Sequence, residues 1–291
     1  MKKYVALIAS LGILSIACER IIPFDSSVHE PMITLYSSVS SGDTIQAHIS
    51  RSISMVDEGT PPNDSLAVIV LAGDDGTLDT LVHQFQGHYR SHIVASEGVT
   101  YDYTVTREPL PTATAQVTAL VGLGNVNLVM IDTGSQAMQG GWSIPFTEVE
   151  LTIPDAGDPV YYEIEGISQY TDPSTGEIYE WRSAAATDDP LLGGTPYGQS
   201  GVGGATKRIW FSNESFIGQS RVISLRIYEN VQGPEKLGVK VTKMDESKYF
   251  YEKQIEQSGN VGPFTQPVVS YVNVTNGLGC VYSSAEVSVF L

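Results

Sequence analysis

Val99-Thr100-Tyr101-Asp102-Tyr103-Thr104-Val105-Thr106 sets an apolar or aromatic side chain at every second position, with a hydroxyl or carboxylate between. Successive side chains of a strand point to opposite faces, so this period of two predicts a strand with one buried and one wet face. The same beat recurs outward in both directions. Ile45, Ala47 and Ile49 alternate with Gln46 and His48. Leu66-Ala67-Val68-Ile69-Val70-Leu71 is continuously apolar and predicts a central strand. Asp74-Asp75-Gly76 then turns the chain into residues 78–82, a hairpin signal.

Glu108-Pro109-Leu110-Pro111 is the strongest internal boundary, because two prolines stiffen the backbone and remove donors. Beyond it, strands are predicted over residues 116–121, 126–131, 148–153, 160–167, 222–228, 237–242, 268–274 and 285–291. Asn276-Gly277 carries the type I′ turn signature. One stretch argues for helix, residues 245–257, with Asp245 or Ser247 as its cap. Residues 172–207 read as a long insertion, polar first and then glycine-rich. The fold class is therefore all-β. Residues 31–110 form an immunoglobulin-like or transthyretin-like sandwich, and residues 111–291 a larger β-sandwich with one helix packed on its edge.

The amino terminus gives an address. Lys2 and Lys3 precede an apolar run over residues 4–14, then Ser15-Ile16-Ala17-Cys18. A charged start, a short apolar core and a small residue before the cut define a secretory signal, here residues 1–17. A cysteine just after the cut is what lipoprotein processing requires, since its thiol takes the diacylglycerol. Cys18 is the predicted lipidation site, followed by a tether over residues 18–30. The only other cysteine is Cys280, so with Cys18 lipidated no disulfide is expected.

The 291-residue chain has a formal charge of −17, which becomes −19 once the two leader lysines are gone. So acidic a body excludes nucleic acid as a partner, because phosphates need Lys and Arg. His83, His88 and His92 form a cluster, but strand residues four apart stand about 13 Å apart, too far to share a metal. The acids at 155, 158, 172, 177, 188 and 189 lack a counted calcium spacing. Gly201-Val202-Gly203-Gly204-Ala205-Thr206-Lys207 lacks the ending of a phosphate loop, and no nucleophile elbow is present. No cofactor, metal or catalytic residue is expected. Trp210 and Phe211 read as core. Tyr179, Trp181 and Tyr197, in the insertion, are the candidate ligand or partner contacts, because exposed Tyr and Trp concentrate where partners bind.

Beyond the residues already quoted, Gly87-His88-Tyr89 and Gly98-Val99-Thr100-Tyr101 are followed by Tyr249-Phe250-Tyr251-Glu252 on the helix. The chain closes with Pro263-Phe264-Thr265-Gln266-Pro267, Val272-Asn273-Val274 and Asn276-Gly277-Leu278-Gly279. This order resembles the domain of unknown function 4249 family, outer-membrane lipoproteins of Bacteroidetes-type bacteria. The resemblance implies a lipid-anchored outer-membrane protein, often encoded beside a TonB-dependent transporter, and it brings no activity to carry over. Two functions are expected from this. One is a non-enzymatic accessory subunit of such a transporter, helping to capture or gate a ligand. The other is a stand-alone surface module that binds glycans or polymers. Which face of the outer membrane it occupies stays open.

Overall fold

The computed structural model describes residues 29–54, 59–137, 141, 143–192, 208–228, 235–259 and 271–291. The leader, Cys18, most of the tether, Tyr197 and the Pro263-Phe264-Thr265-Gln266-Pro267 motif lie outside the described residues. The fold is all-β, with one α-helix among the described residues.

Eight strands come from the first part of the chain: β1 (Ile33–Val39), β2 (Thr44–Arg51), β3 (Val68–Gly73), β4 (Leu78–Thr80), β5 (Val82–Phe85), β6 (His88–Val94), β7 (Thr100–Arg107) and β8 (Leu110–Thr118). One sheet runs β1-β2-β6-β5 and the other β4-β3-β7-β8. Ile33, Leu35, Ile49, Ile69, Leu71, Tyr101, Tyr103 and Val105 fill the space between them. The two buried tyrosines keep their hydroxyls bonded: Tyr103 to Ser37 Oγ at 2.9 Å, and Tyr101 as acceptor from the Ser96 amide at 2.9 Å. Asp64, 3 % exposed, is neutralised by Arg107 at 2.9 Å and Arg51 at 3.4 Å. A buried carboxylate needs such partners.

The second part supplies β9 (Asn127–Ala137), β10 (Ser143–Ile153), β11 (Tyr161–Thr171), β12 (Ile178–Ser183), β13 (Ala185–Ala186), β14 (Ile209–Ser212), β15 (Arg221–Tyr228), β16 (Lys236–Met244), helix α1 (Glu246–Gly259) and β17 (Leu278–Phe290). Sheet β13-β15-β10-β9 encloses a second core with β12-β11-β16-β17, and β14 also pairs with β11.

β17 belongs to both halves. Its first part lies parallel to β1, from Leu278 opposite Thr34 to Ser283 opposite Val39. Its second part runs antiparallel to β16, from Ser284 opposite Met244 to Phe290 opposite Gly238. The result is one continuous sheet, β12-β11-β16-β17-β1-β2-β6-β5. Val281 joins the first core, while Ala285, Val287 and Val289 pack on the second.

Several expectations are corrected. Glu108-Pro109 is not a boundary: Arg107 pairs with Leu110 across it, so it closes the β7–β8 hairpin, and β8 stays in the first core. The chain passes to the second core between Ala119 and Leu123. The central strand expected at residues 66–71 is found as β3, between β4 and β7, with Ile69 and Leu71 buried and Leu66 70 % exposed. The described part of the insertion, residues 172–192, carries β12 and β13. At the Asn276-Gly277 turn only Asn276 has positive φ, at 54°, which is not a type I′ geometry. The turn leads from the isolated bridge Thr114–Thr275 into β17. Residues 271–274, expected as strand, lie in none.

The helix is also displaced from its expected edge. It lies on the outer face of the continuous sheet, where Tyr251 meets Tyr36 of β1 at 5.8 Å and Tyr249 stacks on Tyr161 of β11 at 4.2 Å. It therefore covers the seam between the two halves. Asp245 is its cap: Oδ1 accepts from the Lys248 amide at 2.8 Å, and Oδ2 from the Ser283 amide of β17 at 2.9 Å.

Candidate functional site

Strands β11 and β12 form a hairpin whose turn is built from Asp172-Pro173-Ser174-Thr175-Gly176-Glu177. The Asp172 carboxylate accepts from the Ser174 amide at 2.7 Å and from its hydroxyl at 2.6 Å. These bonds from Ser174 hold the Asp172 carboxyl below its ordinary value. The Gly176 amide donates to Asp172 O at 2.8 Å, with Gly176 at φ +74°, a backbone state that glycine adopts without Cβ strain. The tip is thus held by its own short polar side chains.

Cross-strand register decides which side chains share a face. Tyr170 stands opposite Tyr179, and Ser168 opposite Trp181. Tyr170, Tyr179 and Trp181 therefore lie on one face, two residues apart along β12. On β11 this face carries Tyr162 and Ile164 into the second core, and at Tyr170 it has run past the core into solvent. Trp181 is 54 % exposed, Tyr179 41 % and Tyr170 38 %. The Tyr179 hydroxyl donates to Glu177 Oε2 at 2.7 Å, and that bond raises its pKa. The opposite face anchors the hairpin, where Glu165 takes Arg182 of β12 and Arg208, the residue before β14, each at 3.3 Å. Among the described residues no strand pairs with the far edge of β12.

Of the three aromatics singled out from sequence, Tyr179 and Trp181 come together here. Tyr170 completes the face; it was missed as a contact because only pairing with β12 brings it there. Phe211 is core as expected. Trp210 is only half-buried, lying near Tyr249 of α1 at 5.9 Å and under Arg208 at 5.8 Å. Of the three histidines, His83 meets the Tyr89 ring and His92 bonds Asp79.

One constellation has the composition of a catalytic triad but not its order. Ser91 Oγ donates to Asp79 Oδ2 at 2.5 Å, and His92 Nδ1 lies 3.2 Å from Asp79 Oδ1. Burial pushes the Asp79 carboxyl up, but bonds from Ser91 and His92 outweigh it and hold the group at about 2. The carboxylate stands between hydroxyl and imidazole, so the imidazole cannot take the serine proton. Among the described residues no group of three or more His, Cys, Asp or Glu side chains is placed to hold a metal.

The molecule is thus a double β-sandwich, joined by a shared last strand and carrying a projecting aromatic hairpin. It belongs to the family described as Domain of unknown function (DUF4249), which it matches over residues 19–289. No curated protein matches it. Among the described residues no helix is long and apolar enough to cross a membrane.

Proposed function

We propose that this protein is a non-enzymatic lipoprotein, held at the outer membrane through lipid on Cys18, that serves as an accessory subunit of a TonB-dependent transporter. The β11–β12 hairpin is its docking element. The observation that carries this is the exposed face of Tyr170, Tyr179 and Trp181 on a hairpin braced from both ends. Rigid Tyr and Trp side chains lose little entropy on contact and dominate interface energetics. β12 is an edge strand among the described residues, and an edge strand is a place where a partner strand can add. In detergent extracts of outer membrane, the wild-type chain should co-purify with a β-barrel transporter, and Trp181→Ala should lose most of that recovery. Repeated failure of the wild type to recover any barrel would sink the reading. Cys18→Ser should move the protein from the membrane to the soluble fraction, because anchoring of this strength needs acyl chains.

The second reading is a stand-alone glycan- or polymer-binding module. It draws on the same face, since Tyr179 and Trp181 are about 7 Å apart along one side of a strand and present a flat apolar strip. Glycan arrays with wild type and Trp181→Ala separate the two. Binding that needs Trp181 in the absence of any barrel favours this reading.

A further inference from the structure

On the outer face of the first sandwich, register lines up a row across four strands: Tyr36 of β1, His48 of β2, His88 of β6 and Phe85 of β5. His48 and His88 stand directly opposite each other, and their ring centres are 4.7 Å apart. We infer that this pair is a bidentate site for a borderline divalent transition-metal ion of the Zn²⁺, Ni²⁺ or Cu²⁺ type.

The geometry carries the inference. Metal–imidazole nitrogen bonds of ~2.0–2.1 Å hold each ring centre roughly 3.2 Å from the ion. Ring centres 4.7 Å apart then subtend about 95° at the metal, between the square-planar and tetrahedral values. The planes are inclined by 51°, so the rings are tilted rather than stacked face to face. Asn63 Oδ1 lies 3.1 Å from His48 Nε2. The tautomer that donates Nε2–H to this carbonyl leaves the Nδ1 lone pair free for a metal, the arrangement in which metal-binding histidines are usually oriented. Phe85, 4.8 Å from His88 by ring centres, limits that ring from the other side. The nearest cation by register on this face is Arg90, whose Nη2 donates to Thr44 Oγ1 at 3.4 Å.

Spacing along the chain hid this pair. His48 lies forty positions before His88, and only the β2–β6 pairing joins them. With two protein ligands, the remaining positions fall to water or to a donor from a bound molecule. The site lies on the other sandwich from the aromatic hairpin, so it stands or falls independently of the docking reading.

Isothermal titration of the full lipidated chain in detergent with Zn²⁺ alone tests it. The expected result is one ion per chain, with affinity reduced at least tenfold in both His48→Ala and His88→Ala. His92→Ala, whose imidazole bonds Asp79, should bind as wild type. Asn63→Ala should weaken binding while leaving the stoichiometry at one, because it removes only the orienting acceptor. Zn²⁺ should also raise the melting temperature of wild type and of His92→Ala, but not of the two pair variants. No heat with millimolar Zn²⁺, or binding unchanged in either pair variant, overturns the proposal.

Discussion

Glu163 sits on the face of β11 that α1 covers, with a side chain only 10 % exposed. Burial pushes its pKa up, and Arg208 at 3.7 Å only partly offsets this, so the group titrates at about 7. Asp245, the helix cap, is likewise lifted by burial, to about 6, despite bonds from the Lys248 and Ser283 amides. Both groups hold their protons more tightly folded than unfolded. Their contribution is therefore fully present below the unfolded pKa, near 4, and is lost as pH rises through 6 to 7. The melting temperature should fall between pH 5 and pH 8, and Glu163→Gln should flatten part of that fall. At pH 8 this variant should be more stable than wild type by about 2 kcal/mol. A parallel pH profile for wild type and variant would contradict the assignment. Asp245→Ala should cost about 2 kcal/mol at pH 8, since it removes both the cap and the bond to β17. Asp245→Asn should recover most of that loss. The cap was legible, because an acid before a helical run has one local meaning. Glu163 was not, because Tyr161-Tyr162-Glu163-Ile164-Glu165 reads as a strand with a wet face and nothing local says that a helix lies over it.

β17 depends on close backbone approach at Gly279, where φ is +102° and a Cβ would overlap the Leu35 carbonyl oxygen of β1. Gly279→Ala should destabilise the protein by about 3 kcal/mol or more, because strain and a backbone clash act together. Chemical denaturation measures this directly, and a loss below about 1 kcal/mol would mean that the two strands can separate at little cost. The β11–β12 hairpin behaves oppositely. Trp181→Ala and Tyr179→Ala should leave stability within about 0.5 kcal/mol of wild type, since both rings stand largely in water. A large loss of stability would make these rings core rather than contact surface. The strands with clean alternation, such as β2 and β7, were read correctly from sequence. The run at 66–71 was also read correctly, as a strand inside its sheet, although its uniform apolar composition did not tell the buried face of Ile69 and Leu71 from the wet one. β12 was hidden because every residue from Ile178 to Arg182 is exposed and the segment has no apolar period to find.

At the scale of the whole molecule, the division into two sandwiches was legible, but the seam was not. A strand boundary is written locally in turns and prolines, whereas the pairing of the first strand with the last is a long-range choice that no local pattern records. That pairing makes the two cores interdependent. The first sheet ends on the Leu278–Ser283 part of β17, and Val274 and Val281 complete the first core. The Asn273 side chain clamps this region, accepting from the Val281 amide at 2.8 Å and donating to its carbonyl at 2.6 Å. The Leu120 amide, between the halves, donates to Ser283 Oγ at 2.9 Å. Helix α1 bridges the same line with Tyr251 on one side and Tyr249 on the other. Unfolding one half must therefore strip β17 from the other, exposing Val281 or Val287 to water at about 25 cal/mol per Å² of apolar surface. The mature chain should melt in one calorimetric transition, with equal calorimetric and van't Hoff enthalpies. A fragment ending at residue 122 retains both sheets of the first sandwich but lacks β17, and it should show no cooperative melt. A sharp, reversible transition from that fragment, or two resolved transitions in the whole chain, would show that the shared strand does not couple the halves.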